Sequence, residues 1–296
     1  MLADCVRKFA ENEEIEEVIR SETYYFVGLT RSFHVKMYAS GSRTSGSFDY
    51  FSTIKVIRNY TTIKVPNIIQ YGSIMINKIY YEYVISERIY GVSLSCFHDK
   101  KKVLEVIEEY RKKMLEVKVS RMGRLYFLFE VPSFPYHIVE VFPCRLAGDC
   151  NQDPKALITS RISILTITLR NIYKKYNDLG FFERYNIEQV EESARRIVED
   201  TDIGFSLQHC DIHDDNIMIS DHDEIFLVDW EVAGVYPDHY GKSRENHITG
   251  LFETENKIIM LEQILIEFCP LKDLSMVSDD HIHKIMYLLT RFMENL

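Results

Sequence analysis

The residues best suited to chemistry lie between positions 209 and 231. The chain reads H-C-D-I-H-D-D-N-I-M-I from 209 to 219 and I-F-L-V-D-W-E from 225 to 231. Two short apolar runs flank the polar residues 220–224, which predicts a β-hairpin. A hairpin returns the chain, so Asn216 at the start of one strand and Asp229 at the end of the other are expected side by side, just after Asp211.

Three oxygen-bearing side chains gathered in this way suit phosphoryl transfer. That reaction needs a carboxylate to orient and deprotonate a hydroxyl, and hard oxygen ligands to hold Mg²⁺ against nucleotide phosphates. The spacing H-x-D-x-x-x-x-N, followed by a hairpin and an aspartate, is the catalytic-loop pattern of protein-kinase-like enzymes. The alternative interpretation of Asp211, Asn216 and Asp229 is a polar turn beside a capped hairpin.

The segment D-W-E-V-A-G-V-Y-P from 229 to 237 resembles the aminoglycoside phosphotransferase and choline kinase family, in its fungal-type branch. Weaker similarity lies at T-T-I-K-V-P, residues 61–66, and between Tyr83 and Leu94. D-I-H from 211 and D-W-E from 229 stand where a protein kinase has D-L-K and D-F-G, which disfavours a protein kinase. The resemblance implies an ATP- and Mg²⁺-dependent kinase that phosphorylates a small molecule.

The resemblance also implies roles for individual residues. Asp211 is expected as the catalytic base, Asn216 and Asp229 as Mg²⁺ ligands, and Lys36 as the lysine that contacts the nucleotide phosphates. For Lys36 the alternative is a solvated strand lysine. His213 is expected either near the phosphates or in a structural role. The remaining expected residues brace the catalytic loop (His209), support Asp229 (Trp230, Glu231) or form the hinge against the adenine (Val84, Ile85, Ser86, Glu87, Arg88, Ile89).

Two features of that family are missing from this sequence, and both concern ATP. The turn at residues 30–32 between the predicted strands 24–29 and 33–38 contains no glycine, which predicts weak backbone coverage of the phosphates. The family also pairs its lysine with an acidic residue on the following helix. Between Met37 and Tyr81 the only acidic residue is Asp49, so Asp49 is the expected partner of Lys36.

Composition and charge narrow the class of partner. The chain has 296 residues, 46% hydrophobic and 27% charged, with a net charge of −10, which argues against a nucleic-acid binder. Residues 201–296 hold 19 acidic against six basic residues, a balance of −13, so residues 1–200 carry +3. This field favours metal ions and a cationic, amine-bearing acceptor, although a solvated acidic surface is the alternative. The sequence leaves the oligomeric state open.

The compartment is inferred from the cysteines and from hydropathy. The six cysteines form no C-x-x-C pair, no window approaches the roughly 18 apolar residues of a membrane span, and residues 11–17 are acidic where a signal peptide needs an apolar stretch. We therefore expect a cytoplasmic protein that acts without a membrane partner.

The periodicity predicts an α+β, two-lobed protein-kinase-like fold. Residues 1–88 are expected to form a small β-rich N-lobe that binds nucleotide, and residues 89–296 a larger, mainly helical C-lobe that carries the catalytic loop and substrate helices. Strands are expected at 24–29, 33–38, 68–76 and 78–85, and helices at 3–19, 48–58, 101–119, 153–177, 187–198, 257–268 and 280–296. A non-catalytic, kinase-like binding module with a degenerate nucleotide site is the competing hypothesis.

Overall fold

A computed structural model describes residues 15–20, 25–39, 47–76, 78–118, 123–124, 153–176, 179–241, 256–268 and 278–296. These residues group into two compact units. The first unit holds the described residues up to Val117, Arg124 and the segment Asp211–Gly234, and the second unit holds the rest. Residues 89–117 belong to the first unit, so this division does not fall at the lobe boundary expected between residues 88 and 89.

The first unit begins with a five-stranded antiparallel sheet. Its strands lie in the order β1-β2-β3-β5-β4, which places β1 and β4 at the edges. The five strands are β1 (Ile15–Arg20), β2 (Tyr25–Thr30), β3 (Phe33–Ala39), β4 (Ile68–Ile76) and β5 (Ile79–Glu87).

Strand β1 corrects the helix predicted for residues 3–19. Ile15–Arg20 pairs with β2 along its length, while residues 3–14 lie outside the described part of the chain. β-branched residues at positions 15, 18 and 19 favour a strand once a neighbouring strand supplies the hydrogen bonds. The turn at residues 30–32 therefore joins the second and third strands, and the first two strands are joined by S-E-T-Y at 21–24, which also contains no glycine.

Alternation along β3 separates a core face from a polar face. Val35 and Met37 are buried against Tyr83 and Ile85 of β5, as the period of two requires. Lys36 and His34 consequently share the opposite face. Helix α1 (Ser47–Tyr60) follows β3 and packs on β4 and β5, with Ile54 and Ile57 buried.

The remaining elements follow in chain order. They are β6 (Gly91–Ser93), α2 (Lys100–Glu116), β7 (Gly123–Arg124), α3 (Pro154–Lys175), α4 (Gly180–Arg184), α5 (Ile187–Asp200), β8 (Phe205–Gln208), β9 (Ile217–Ser220), β10 (Ile225–Leu227), β11 (Gly234–Pro237), α6 (Lys257–Phe268) and α7 (Asp279–Glu294).

The predicted hairpin is formed by β9 and β10, and β6 adds a third strand beside β9. Gly91 at the start of β6 has φ +155°, and a Cβ there would overlap the carbonyl oxygen of Ile219 on β9. Only glycine allows this close approach of the two backbones. Helix α2 is tied to the same hairpin, because the Tyr110 hydroxyl donates to the carbonyl oxygen of Ile225 over 2.8 Å.

The second unit is mainly helical and has its own apolar core, built by α3, α5, α6 and α7. The predicted first-turn proline and N-cap of the 153–177 helix are confirmed, since Asp153 accepts a hydrogen bond from the amide of Lys155. Helix α5 begins with a capping box between Asn186 and Gln189. Among the described residues, no helix combines the length and apolar content that crossing a bilayer requires.

Candidate active site

The hairpin brings Asp211, Asn216 and Asp229 together in the first unit. Asn216 is buried at the end of a short 3₁₀ turn, Asp214–Asn216. Its Nδ2 donates to the backbone oxygen of Asp211 over 2.9 Å and to Asp211 Oδ2 over 3.2 Å. The backbone carbonyl oxygen of Asn216 accepts a hydrogen bond from the backbone amide of Val228 over 3.0 Å, which fixes the neighbouring Asp229 beside Asn216. The juxtaposition that the hairpin pattern predicts is therefore present.

The backbone of Asp229 adopts the left-handed conformation, with φ 63° and ψ 57°. Aspartate and asparagine tolerate this region better than most residues other than glycine. The turn sends the chain into the 3₁₀ segment Trp230–Val232, where Trp230 is fully buried and its Nε1 donates to the carbonyl oxygen of Leu227 over 2.8 Å. The buried indole fixes the direction in which Asp229 and Glu231 leave the hairpin.

Lys36 is buried among carboxylates. Its Nζ lies 2.8 Å from Asp229 Oδ1 and 2.9 Å from Glu231 Oε1, and only 11% of its side chain is exposed. The ammonium group also lies 5.7 Å from the centre of the Tyr50 ring on α1. Burial alone would lower the pKa of Lys36, but the carboxylates of Asp229 and Glu231 outweigh it and raise that pKa above its usual value. Lys36 is thus a buried, charged residue that two carboxylates hold in place.

A cavity of about 400 Å³ in the first unit adjoins this cluster. Lys36, Asn216 and Asp229 line it together with Tyr50 and His34. Burial and the nearby Lys36 lower the pKa of His34 to about 4, so this imidazole is neutral at neutral pH. Burial raises the pKa of the Tyr50 hydroxyl, so the phenol is neutral as well.

Another part of the lining comes from the end of β5 and the two residues that follow it. Ser86, Glu87, Arg88 and Ile89 all line the cavity, whereas the preceding hinge residues Val84 and Ile85 are buried in the sheet and are not among the lining residues. The Arg88 guanidinium donates to the carbonyl oxygen of Thr30 over 2.7 Å and pairs with Glu16 on β1. Four apolar residues also line the cavity (Leu29, Pro66, Met218, Val228).

The residues expected to support the catalytic loop take different places. His213 caps the 3₁₀ turn, because its Nδ1 accepts from the amide of Asp215 over 3.3 Å, and its Nε2 lies 3.8 Å from Asp211 Oδ2. His209 is fully buried in the second unit. Glu231 contacts Lys36 directly. Asp49 lies in the first turn of α1, and its side chain is outside the described part of the structure.

The oxygen donors suit Mg²⁺. Asn216 uses Nδ2 toward Asp211, so its amide oxygen is the atom that can ligate, and Asp229 offers a carboxylate whose side chain is 31% exposed. The described residues contain no group of three or more histidine, cysteine or carboxylate ligands for a metal ion. Two protein oxygens completed by phosphates and water are the usual way in which proteins hold this cation.

Sequence reasoning missed Tyr50, Met218 and Gly91, which all line the cavity. Met218 could have been found from the period of two in β9, because Ile217 and Ile219 point into the core and Met218 must point the other way. Tyr50 carries no such signal, since its position next to Lys36 depends on how α1 packs.

Solved structures of other proteins share the fold of this chain. Neither the family models nor the curated proteins contain a match to this sequence. Among solved structures, a thermostable mutant of aminoglycoside phosphotransferase APH(4)-Ia in a ternary complex with ADP and hygromycin B has a TM-score of 0.55 at 15% identity, over 99% of this chain and 98% of that one. Spectinomycin phosphotransferase APH(9)-Ia, in complex with ADP and spectinomycin, has a TM-score of 0.51 at 10% identity, covering 99% of this chain and 94% of that one.

Choline kinase LicA from Streptococcus pneumoniae has a TM-score of 0.50 at 11% identity, over 99% of both chains. These similarities establish the fold of the chain and confirm the prediction of an α+β, protein-kinase-like fold. The structures it resembles are of the two kinds that the D-W-E-V-A-G-V-Y-P segment indicates.

Proposed function

We propose that this protein is an ATP- and Mg²⁺-dependent kinase that transfers the γ-phosphate to a hydroxyl of a small molecule. The observation that carries the proposal is the convergence of Asp211, Asn216 and Asp229 at one end of the hairpin, with Asn216 and Asp229 lining the same cavity as the buried Lys36. A capped hairpin alone does not require a buried lysine on another sheet to face its last aspartate. Solved structures of the same fold in complex with ADP and spectinomycin, and with ADP and hygromycin B, support the proposal.

The residues divide the binding of the nucleotide between them. Lys36 contacts the phosphates with its ammonium group, and Asn216 and Asp229 hold Mg²⁺ through their oxygens. When bound, this cation offsets the negative charge of the phosphates. Ser86, Glu87, Arg88 and Ile89 face the base, and the apolar side chains of Leu29 and Met218 stack on it.

Asp211 acts as the base. Its side chain is 46% exposed, so an acceptor hydroxyl can reach it, and the amide of Asn216 holds its Oδ2 in place. Asp211 orients the hydroxyl and takes its proton as the acceptor oxygen forms a bond to the γ-phosphorus. The bond between that phosphorus and the β–γ bridging oxygen breaks, and ADP leaves with the electron pair.

An amine-bearing acceptor is the substrate class that charge favours. Residues 201–296 carry a balance of −13, and a field of this sign attracts cations toward the part of the chain that follows the hairpin. Hygromycin B and spectinomycin are the small molecules named beside ADP in the complexes of two of the similar structures. Amino sugars, amino alcohols and other basic metabolites with a free hydroxyl are therefore the first compounds to test.

The test measures nucleotide binding and turnover separately. MgATP is expected to raise the melting temperature of the wild type, and slow ATP hydrolysis is expected to vanish in Asp211→Asn while the MgATP shift remains, because this variant loses the base but keeps the ligands. A coupled assay of ADP release over a panel of amines, sugars and amino alcohols then identifies the acceptor, with Asp211→Asn as the blank. A wild type without any melting shift and without hydrolysis would instead support the binding module.

A further inference from the structure

The partner of Lys36 is the most informative feature that the proposed roles leave unexplained. Two carboxylates meet its ammonium group, and both come from the segment after the hairpin. Asp229 lies at 2.8 Å and Glu231 at 2.9 Å, and the Glu231 side chain is only 13% exposed. The sequence predicts a different partner, Asp49 on the helix that follows β3.

Helix α1 offers an aromatic ring to Lys36. Among its described side chains, Tyr50–Tyr60, none is acidic, and Tyr50 is the one that approaches the ammonium group. Tyr50 is buried and its hydroxyl stays neutral, so it supplies no formal charge to balance the lysine. Among the residues whose side chains the structure describes, the charge that balances Lys36 therefore comes from Asp229 and Glu231.

The two carboxylates cannot serve Lys36 equally if Asp229 also ligates a divalent cation. A cation at Asp229 competes for the same negative charge and weakens the attraction of that carboxylate for Lys36. Glu231 binds Lys36 through Oε1, and its side chain is less than half as exposed as that of Asp229. One negative charge then remains for the lysine and one for the cation.

We infer that Glu231 is the positioning residue for Lys36 and takes the place that the family resemblance gives to a helix acid. The inference rests on the proposed function, because it concerns how the lysine is held for nucleotide phosphates. Glu231 touches neither phosphate nor acceptor in this role. It keeps the ammonium group at the cavity wall after Asp229 has turned to the cation.

The local fold explains how two residues so close in sequence reach the same lysine. The left-handed Asp229 and the 3₁₀ turn Trp230–Val232 fold the chain back within one turn. Trp230, between them, is fully buried and hydrogen-bonded to Leu227, so it cannot swing out. Asp229 and Glu231 therefore flank the anchored indole, and both side chains meet Lys36.

We expect a substitution of Glu231 to weaken the binding of ADP but not that of adenosine, because only ADP carries phosphates. ADP contacts Lys36 and adenosine does not, so the ratio of their Kd values measures the contribution of the phosphates. In Glu231→Gln we expect ADP affinity to fall about tenfold, the size of one charge-assisted hydrogen bond, while adenosine affinity stays within about twofold. Glu231→Asp keeps the charge with a shorter reach and is expected to recover part of the ADP affinity.

The experiment is isothermal titration of ADP and adenosine, in magnesium and again in EDTA, with wild type, Glu231→Gln, Glu231→Asp and Asp49→Asn. Glu224→Gln is the matched control, because this glutamate of the same hairpin region pairs with Lys64 at the surface. A phosphate-specific loss in Glu231→Gln supports the inference if it is larger in magnesium than in EDTA, where Asp229 still balances Lys36, and if it is absent from Glu224→Gln. The same loss in Asp49→Asn but not in Glu231→Gln overturns it, as does an equal loss for adenosine.

A second measurement covers a variant that fails to fold. If Glu231→Gln is unfolded, Glu231→Asp replaces it, and a severalfold loss of ADP affinity supports the inference while an unchanged affinity overturns it. A double-mutant cycle of Lys36→Met and Glu231→Asp on chemical unfolding tests the contact without any nucleotide. A wild type that binds neither ADP nor adenosine refutes the proposed function, whereas a wild type that binds both and an unaffected Glu231→Gln refutes only the role of Glu231.

Discussion

Each unit of this protein buries a positively charged side chain beside a carboxylate and a tyrosine ring. In the first unit Lys36 meets Asp229, Glu231 and the ring of Tyr50. In the second unit Arg161 of α3 lies 6.0 Å from the ring centre of Tyr240, in the field of Glu262 on α6. Burial lowers the pKa of Arg161 against the opposing effect of Tyr240 and Glu262, whereas the pKa of Lys36 is raised.

The two clusters differ in their access to a cavity. Arg161 and Glu262 have no exposed surface and join helices of the apolar core, while Lys36 and Asp229 line the cavity and Asp229 stays 31% exposed. A sealed charged cluster can only contribute to the specificity and stability of the fold, because no ligand reaches it. A cluster at a cavity wall can exchange one protein partner for a ligand. The same combination of a positively charged side chain, a carboxylate and a tyrosine therefore predicts a structural role in one unit and a binding role in the other.

We call Lys36, Asp229, Glu231 and Tyr50 the open cluster, and Arg161, Glu262 and Tyr240 the sealed cluster. The largest expected effect comes from removing a charge from the open cluster. Asp229→Asn is expected to lower turnover by about 100-fold or more, because a ligand of the proposed cation is lost. The free energy of unfolding is expected to stay close to that of the wild type. Asparagine is chosen because it tolerates the left-handed backbone at this position, which alanine does not. Steady-state kinetics with chemical unfolding measures both, and Asp221→Asn in the hairpin turn is the control. Full turnover in Asp229→Asn would contradict the binding role of the open cluster.

The sealed cluster is expected to give the reverse result. Arg161→Met removes the buried positive charge that interacts with Glu262 and is expected to cost about 3 kcal/mol or more of the free energy of unfolding, with the Kd for ADP unchanged. Urea unfolding and titration calorimetry measure the two quantities. The double variant Arg161→Met/Glu262→Gln should regain most of the lost stability. A weaker ADP affinity in Arg161→Met, at full folding, would show that the two clusters are not separate in function.

A smaller effect sharpens the description of the open cluster. His34 lines the same cavity, and its pKa is lowered to about 4 in the folded state, against about 6.5 in the unfolded chain. Between pH 4 and pH 6.5 the unfolded state therefore binds more protons than the folded state. The stability that His34 contributes is complete above about pH 6.5 and is lost as the pH falls toward 4. Between pH 7 and pH 5 we expect His34→Gln to remove about 2 kcal/mol of the decline in unfolding free energy. Parallel wild-type and variant curves would contradict this expectation.

The hairpin and most of the helices were predictable because their signals are local. Two apolar runs around a polar turn define β9 and β10, and the Asp-Pro pair at 153–154 defines the start of α3. The helix predicted for 257–268 agrees with α6 in both bounds. Such patterns depend on periodicity and capping within a few residues, so one sequence suffices to read them.

The remaining features depend on contacts between residues far apart in the chain. Ile15–Arg20 has an imperfect helical stripe, and its strand exists because β2 supplies the partner. The contacts of Lys36 with Glu231 and Tyr50 join three elements that no local pattern connects. For Asp49 the sequence showed only that no other acid stands between Met37 and Tyr81, and this does not determine which carboxylate reaches the lysine.

The glycine at position 91 has a mechanical consequence. Because the backbones of β6 and β9 touch there without an intervening side chain, β6, which follows residues 86–89, is held directly against the strand that begins after Asn216. A displacement of residues 86–89 on arrival of a nucleotide would carry Asn216 with it. In the proposed complex, the distance between the nucleotide base and the cation would therefore depend on this direct backbone contact, which a single methyl group at position 91 would prevent.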